Sequence, residues 1–438
     1  MDDLMFARLQ MAWSLGFHII FAAVGIGMPL LMAISEYRWL RGGREECREL
    51  TKRWAKGTAI FFAVGAVSGT VLSFELGLLW PGFMRHAGAV IGVPFSLEGF
   101  AFFTEAIFLG IYLYGWDRVR PWAHWWAGVA VAASGAASAV FVVMANAWMN
   151  APAGFDFDAS TGEFSEIDPV AAMFNPAWKA EVLHMLLAAY LATALAAAGI
   201  HALQLLRRPR SAFHREALRI TMGVAAVCAL LQPLSGDYAA KVVAETQPVK
   251  LAAMEGQFAS EASAPLRIGG WPDERRARTR FALEVPGLLS FLAHGDRHAV
   301  VRGLNEFPRE DWPPVAVVHV AFQLMVGLGI LILSVSAWFV LAAWRSRGAP
   351  LGRRLLWAIV LCSPAGMLAI EAGWTVTEVG RQPWIVYGVM RTSEAVTPMP
   401  GLAGPFLTFV LVYVGLAAVV VALLARQVRA APVAAGAE

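Results

Sequence analysis

The stretch FSLEGFAFFTEAIF, residues 95–108, is almost entirely apolar but contains two glutamates, Glu98 and Glu105. Apolar segments of this kind are typical of helices that cross a bilayer, where a carboxylate at the centre costs about 3 kcal/mol on insertion scales. Seven residues complete nearly two helical turns, so both carboxylates lie on one face of the predicted helix. The stretch therefore predicts an integral membrane fold in which these acids have a function.

Composition extends this prediction to the whole chain. Its 438 residues are 58% hydrophobic and 15% charged, with a formal net charge of +3, whereas soluble domains contain about 25% charged residues. Cys47, Cys228 and Cys362 form no CxxC pair, which excludes a cysteine-ligated iron–sulfur cluster. No basic block interleaved with aromatic residues indicates nucleic-acid binding.

Nine apolar windows are long enough to cross a bilayer, which takes about 20 residues. The fold class is therefore an all-α, nine-helix membrane bundle, and the acidic N-terminus predicts that the first segment is retained rather than cleaved. The windows are 11–35, 57–80, 95–115, 124–148, 180–206, 217–240, 313–344, 353–375 and 404–426.

Loop charges predict the orientation of this bundle. Three segments are rich in Lys and Arg: 37–56, 207–215 and 345–354. By contrast, the charged residues of 150–178 are all acidic, and the segment 81–94, interpreted as a loop, contains one Arg. The positive-inside rule then places the N-terminus outside and the C-terminus in the cytoplasm. Residues 1–438 form one predicted membrane domain.

A long outer loop, 241–312, separates predicted helices six and seven. Loops of this length are either functional or linkers.

Most ligand-capable side chains concentrate in the predicted outer half of the membrane: His18, His184, Glu378 and Arg381, with Met325 near mid-membrane. Each alone has an ordinary explanation, such as packing for a histidine or methionine and an interfacial ion pair for Glu378 with Arg381. Their clustering favours a common site. Histidine, methionine and carboxylate inside a helical bundle are haem-iron ligands.

Copper is not expected. The predicted spans hold only His18, His184, His201 and His319, fewer than the about six membrane histidines of a haem–copper centre. The histidines His201, His214 and His319 are assigned to packing or loops.

Several motifs resemble subunit I of the cytochrome bd-type quinol oxidases: ARLQMAWSLGFH (7–18), EGFAFFTEAIFLGIYLYGWDR (98–118), MANAWMNAP (144–152), KLAAME (250–255) and GRQPW (380–384). They occur in the expected order over nearly the whole chain. The short outer loop resembles the branch that includes cyanide-insensitive oxidases.

The resemblance implies haem ligands. His184 and Met325 match the axial ligands of a low-spin haem b, and His18 and Glu378 match ligands of a high-spin pair, with their individual assignment left open. The implied cofactors are two haems b and one haem d, or a third haem b in its place. Arg381 matches an arginine near the high-spin haems.

The resemblance also implies substrate and proton sites. Lys250 and Glu255 match quinol-binding residues, with Lys250 expected to steady the Glu255 carboxylate. Glu98 matches a carboxylate beside the high-spin pair, and Glu105 a deeper one assigned to proton delivery. Ser138 and Asn146 match polar residues on the helix-four channel.

Two positions depart from the family pattern. Members commonly have an arginine where this chain has Gln323, which should lower the potential of the low-spin haem or change its propionate contacts. Glu98 and Glu105 are seven residues apart, whereas well-known members have them eight apart.

The implied function is that of a quinol:O2 oxidoreductase, using ubiquinol or menaquinol, in the bacterial inner membrane. It would oxidise quinol outside, reduce O2 through three haems, and separate charge without a pump. Expected partners are a second subunit, quinol, O2 and lipid, with a small single-helix subunit left open. The alternative is a proton-coupled transporter, which should show an internal repeat and broken helices at matching positions; the sequence indicates neither.

Overall fold

The computed structural model describes residues 2–158, 160, 163–346 and 351–429. Within this part, nine spans are long and apolar enough to cross a membrane, which confirms the predicted nine-helix bundle. The α-helices are α1 (Asp3–Gly42), α2 (Glu45–Leu79), α3 (Pro81–Tyr114), α4 (Pro121–Asn150), α5 (Pro169–Met173), α6 (Trp178–Arg207), α7 (Ala212–Thr246), α8 (Pro248–Glu255), α9 (Leu288–His294), α10 (Val315–Ser346), α11 (Arg353–Cys362), α12 (Ala365–Gly380), α13 (Thr392–Ala395) and α14 (Ala403–Arg429).

Helix α3 begins earlier than expected. The segment 81–94, interpreted from sequence as a loop, is helical and contains Pro94. Pro81 occupies the first helical position, where its fixed φ suits a helix and its missing N–H costs nothing. Phe83, Ala87 and Val90 recur at helical spacing and are buried in one core cluster. Packing therefore outweighs the polar residues that suggested a loop.

Contacts between loops define the two ends of the bundle. At the end where α1 begins, called here the N-side, the Thr397 N–H donates to the Leu79 carbonyl and the Tyr387 N–H to the Met149 carbonyl, both at 2.9 Å. At the opposite end, the C-side, Arg44 pairs with Glu216 at 2.9 Å. Among the described residues, the basic segments 37–56 and 207–215 lie on the C-side. That the N-side faces outward remains the prediction from loop charge.

The eighth span is interrupted. Helix α11 ends at Cys362 and α12 begins at Ala365, while the Ser363 hydroxyl donates to the Val360 carbonyl at 2.8 Å. Ser363 and Pro364 both keep right-handed helical dihedral angles, so the span is kinked between α11 and α12 rather than unwound. A proline removes a backbone donor and ends a helix locally, which explains the break at Pro364. The other eight described spans are each one continuous helix.

The loop between α7 and α10 is folded rather than extended. It spans 247–314, because α7 continues to Thr246 and α10 begins at Val315. It therefore begins six residues later and ends two residues later than the predicted bounds of 241–312. Besides α8 and α9 it contains three antiparallel strand pairs. The strands of the described chain are β1 (Asp156–Asp158), β2 (Glu163–Ser165), β3 (Glu261–Ala262), β4 (Leu266–Ile268), β5 (Trp271–Asp273), β6 (Arg278–Arg280), β7 (Leu283–Val285), β8 (Val300–Val301), β9 (Trp384–Val386) and β10 (Met390–Arg391).

A close approach fixes α1 against α6, the two helices that contain His18 and His184. A Cβ at Gly27 would lie 2.4 Å from the Thr193 Cβ, so only glycine permits this separation. The Thr193 hydroxyl donates to the Ala23 carbonyl at 2.9 Å. Small residues at helix contacts in membranes allow backbones to approach in this way.

Candidate functional site

His18 is held by a serine on the neighbouring helix. Its Nδ1 lies 2.9 Å from the Ser68 oxygen, and the Ser68 hydroxyl donates its one proton to the Val64 carbonyl at 2.9 Å. The serine oxygen therefore accepts from the Nδ1–H, which leaves the Nε2 of His18 with a free lone pair. A Cβ at Gly69 would lie 3.0 Å from the ring, so glycine makes room for the imidazole.

His184 has the same arrangement on α7. Its Nδ1 lies 3.0 Å from the Ser235 oxygen, whose proton goes to the Gln232 carbonyl at 2.9 Å. The Gln232 amide nitrogen lies 3.2 Å from both ring nitrogens and from the His184 carbonyl. If a ligand bound Nε2, the Gln232 amide would lose its contact with Nε2 but could still donate to the His184 carbonyl. The acceptor nitrogen of the ring is again Nε2, which the Gln232 amide contacts in this structure.

Met325 lies against a glycine of α12. A Cβ at Gly373 would be 3.0 Å from the Met325 sulfur, so a larger residue there would displace the thioether. Helices α6, α7, α10 and α12 pack on one another, and they include both His184 and Met325. The structure thus places the two predicted axial ligands within one group of packed helices.

Glu378 lies at the end of α12 in a dense polar network. The Asn146 amide donates to its Oε1 at 2.6 Å, and Arg381 pairs with its Oε2 at 2.5 Å. Arg381 also donates to the Asn150 side-chain oxygen, Oδ1, at 3.3 Å. Asn146, predicted to lie on the helix-four channel, therefore contacts the predicted ligand Glu378 directly.

Lys250 belongs to this network rather than to Glu255. Its ammonium donates to the Asn150 side chain at 2.9 Å, and the Asn150 amide donates in turn to Glu181 at 3.0 Å. Burial, together with the nearby Arg381, lowers the pKa of Lys250. The expectation that Lys250 steadies Glu255 was wrong. Residues five apart lie about 140° apart around a helix, so the two side chains leave α8 in different directions.

Glu255 faces the folded loop instead. It is buried, its Oε2 has no hydrogen-bond partner among the described residues, and Arg267 is the cation that acts on it. Burial raises the pKa of Glu255 to about 8 despite this positive charge. A carboxyl in this state can accept a proton from a ligand near neutral pH.

Gln323 anchors the same loop. Its amide donates to the Arg267 carbonyl and its oxygen accepts from the Gly269 N–H, both at 2.9 Å. His319, about one turn before Gln323 on the same helix, contacts the carbonyls of Met254 and Gly269 at 2.8 and 3.1 Å. The glutamine that departs from the family pattern therefore binds backbone that a guanidinium could not satisfy in the same way, since arginine has no acceptor.

The two acids of the opening stretch both face α4. The Ser138 hydroxyl donates to Glu98 at 3.2 Å, and a Cβ at Gly135 would lie 3.2 Å from the Glu105 carboxyl. The predicted shared face is therefore observed. Seven residues further along, the Tyr112 hydroxyl donates to the buried Glu36 at 2.6 Å, so polar groups continue toward the C-side.

Sequence reasoning missed several of these groups. Ser68, Ser235, Asn150 and Glu181 were not singled out because their roles depend on contacts with residues far away in the chain. Glu181 gave a weak signal, as an acid one turn before a predicted ligand, His184.

The comparisons with known proteins match this geometry. The family model described as cytochrome bd terminal oxidase subunit I covers residues 6–432. The chain belongs to this family. Membership confirms the resemblance and decides against the transporter alternative.

Relatives match this chain over 90% or more of its length. It is 37% identical to a Bacillus subtilis (strain 168) protein provisionally named cytochrome bd menaquinol oxidase subunit I, over 99% of this chain and 98% of that protein. It is 30% identical to cytochrome bd-II ubiquinol oxidase subunit 1 of Escherichia coli (strain K12), over 90% of each. The solved bd oxidase of Geobacillus thermodenitrificans has a TM-score of 0.92 and 40% identity, covering 98% of this chain and 99% of that one. The chain is thus a multi-pass subunit of a terminal respiratory oxidase in the bacterial inner membrane.

The haem that this family implies fits the residues present. Both histidines are oriented by serines that accept from Nδ1–H and leave Nε2 as the nitrogen with a lone pair, which is how outer partners commonly fix a metal-binding imidazole. His18, His184 and Met325 are only half-buried, so packed side chains do not enclose their ligand atoms. The donor set of imidazole, thioether and carboxylate suits haem iron.

If His18 is a haem ligand, as its sequence motif predicts, replacing Ser68 with alanine should weaken haem retention there. Loss of such an outer partner typically costs 10–100-fold in metal affinity. Haem content and the high-spin spectrum of the purified variant measure the effect. Ser73→Ala is the matched control, because Ser73 lies exposed on the same helix and donates only to the Gly69 carbonyl. Equal haem retention in both variants would contradict the role of Ser68.

Proposed function

We propose that this chain oxidises quinol at the N-side, which we take as the outer face, and passes electrons to haems that reduce O2 to water. The observation that best supports it is the network joining Lys250 of α8 to Glu378 of α12 through Asn150 and Arg381. It connects the folded outer loop directly to a candidate haem ligand.

In this proposal His184 and Met325 hold a low-spin haem b, and His18 and Glu378 hold the high-spin pair. Bound haem supplies the redox centres, as two haems b and one haem d or as three haems b. The residues orient these centres: Ser235 and Ser68 fix the imidazoles, and Asn146 and Arg381 fix the Glu378 carboxylate. The relatives are named as subunit I or subunit 1 of their oxidases, and we propose a second oxidase subunit as the partner of this chain.

Quinol oxidation releases two electrons and two protons, so the quinol site needs a base. Glu255 is the proposed base because it is buried at the loop and its Oε2 is unpartnered in the described chain. Lys250, whose ammonium is bound to Asn150, has a different proposed role. It attaches α8 to the hydrogen-bond network around Glu378, which fixes the position of the quinol-binding loop relative to the proposed haem ligand.

Reduction of one O2 to two waters takes four electrons and four protons. We propose that Glu105 relays protons from the C-side to Glu98, since both lie on the α3 face that meets α4. Quinol protons leave on one side and oxygen protons enter from the other. Charge then separates across the membrane without a pump.

Replacing Glu255 with glutamine tests the quinol site. Quinol-driven O2 uptake should fall by about 100-fold, within the range of general base catalysis, while uptake with ascorbate and tetramethylphenylenediamine stays largely intact. With a pKa of about 8, the base form of Glu255 increases with pH, so the wild-type rate should rise about tenfold per unit below pH 8 and then level off.

The variant should lose this pH dependence. Glu284→Gln is the matched control, because exposed Glu284 also contacts Arg267, at 3.0 Å. An equal loss of activity with both electron donors in Glu255→Gln would place the defect at the haems instead.

A further inference from the structure

Helix α12 contains a second membrane acid, Glu371, to which the proposed function gives no role. Its Oε1 is buried and has no hydrogen-bond partner among the described residues. A buried polar atom without a partner is rare in native structures and indicates a water, ion or ligand in contact with it. An ionisable residue inside a membrane span is by default a functional candidate.

Glu371 faces the side of α12 that the predicted oxygen site occupies. A Cβ at Gly16 of α1 would lie 3.2 Å from the Glu371 Oε2, and α1 also contains His18. Glu378 lies seven residues further on, nearly two turns away on the same face. Gly373 points the opposite way, against the Met325 sulfur. Helix α12 thus presents Glu371 and Glu378 toward the predicted oxygen site and Gly373 toward Met325, the predicted ligand of the low-spin haem.

The interruption of the eighth span lies on the C-side of this acid. Pro364 precedes Glu371 by seven residues, and the break leaves the first backbone N–H groups of α12 without intrahelical acceptors. Ser363 and Pro364 keep right-handed helical dihedral angles, so the span is kinked here, and backbone groups freed at such a kink are satisfied by neighbouring helices, side chains or ordered water. Here a Cβ at Gly199 would lie 2.2 Å from the Ser363 Cβ, so α6 closes tightly on one side of the break.

We propose that Glu371 is a second proton donor to the oxygen site, supplied from the C-side past the Ser363–Pro364 interruption. This inference rests on the proposed function. Glu371 gives its carboxyl proton toward the oxygen being reduced and is reprotonated from the C-side, so each transfer restores the acid. The four electrons still come from two quinols. Its route follows α12, whereas Glu105 lies on α3, so the two acids deliver different protons of the same turnover.

Glu371→Gln tests the proposal in the purified holoenzyme. Quinol-driven O2 uptake should fall at least about tenfold, with haem content and visible spectrum unchanged and with a larger solvent isotope effect in D2O. The infrared C=O band of one protonated carboxyl should disappear. Glu371→Asp keeps the acid and should restore most of the turnover.

Glu75→Gln is the matched control. Glu75 is also a buried membrane acid, and its Oε2, like the Oε1 of Glu371, has no hydrogen-bond partner among the described residues. It lies on α2 rather than α12, and its Oε1 accepts from Gln10 and Ser14 at 3.0 Å each, which a glutamine oxygen can also do. Its turnover should stay within twofold of wild type. Wild-type turnover in Glu371→Gln would overturn the inference, and so would loss of haem in step with activity. Absence of quinol-driven O2 uptake in the wild-type enzyme would instead refute the proposed function.

Discussion

Replacing Met325 with leucine is expected to convert the low-spin haem into a high-spin one while the bundle still assembles. Leucine conserves volume, and such swaps in packed sites usually cost less than about 1.5 kcal/mol, but it removes the thioether that would bind iron. The Gly373 contact leaves space for a side chain of this size. The reduced spectrum and its change on adding carbon monoxide measure the spin state.

Met222→Leu is the matched control for this prediction. Met222 is fully buried in the core cluster that spans α1, α6 and α7, so its replacement tests the loss of a buried thioether away from the site. Its spectrum should equal that of wild type. An unchanged low-spin band in Met325→Leu would show that Met325 is not the ligand.

Replacing Glu105 with glutamine should lower turnover steeply, by about 100-fold or more, with all haems retained. Glutamine keeps the shape beside Gly135 but cannot carry a proton. Electron entry from quinol should stay fast in stopped-flow experiments, because the block lies on the proton side. Oxygen uptake and haem quantification complete the measurement.

Glu98→Ala provides the contrast. Glu98 lies two turns nearer the N-side and accepts from Ser138, so its loss should disturb haem content or the high-spin spectrum. If Glu105→Gln turned over at the wild-type rate, the relay would have to run elsewhere, with Ser138 and Asn146 as the next candidates.

The spans could be predicted from sequence because bilayer thickness sets a length that apolar windows reveal directly. Their ends could not. Residues 81–94 look like a loop, yet Phe83 and Ala87 pack into a core that the local sequence does not show. The break at Ser363–Pro364 was missed because its flanking residues are apolar enough to continue a window.

The site could be predicted in part. The spacing of seven residues correctly predicted that Glu98 and Glu105 share one face of α3, because the helical period alone determines which residues share a face. The pairing of Lys250 with Glu255 failed for the same reason, since five residues do not share a face. Ser68 and Ser235 could not be predicted, because each contacts a histidine about fifty residues away in the chain.

The central claim is that quinol reduces haems held by this chain and that O2 reoxidises them. The most direct measurement is a reduced-minus-oxidised visible spectrum of the purified oxidase, with quinol added without air and O2 admitted afterwards. We expect quinol to produce the bands of a low-spin haem b and of high-spin haems, and O2 to remove them as water forms. A protein without haem bands, or with haems that quinol leaves oxidised, would contradict the account.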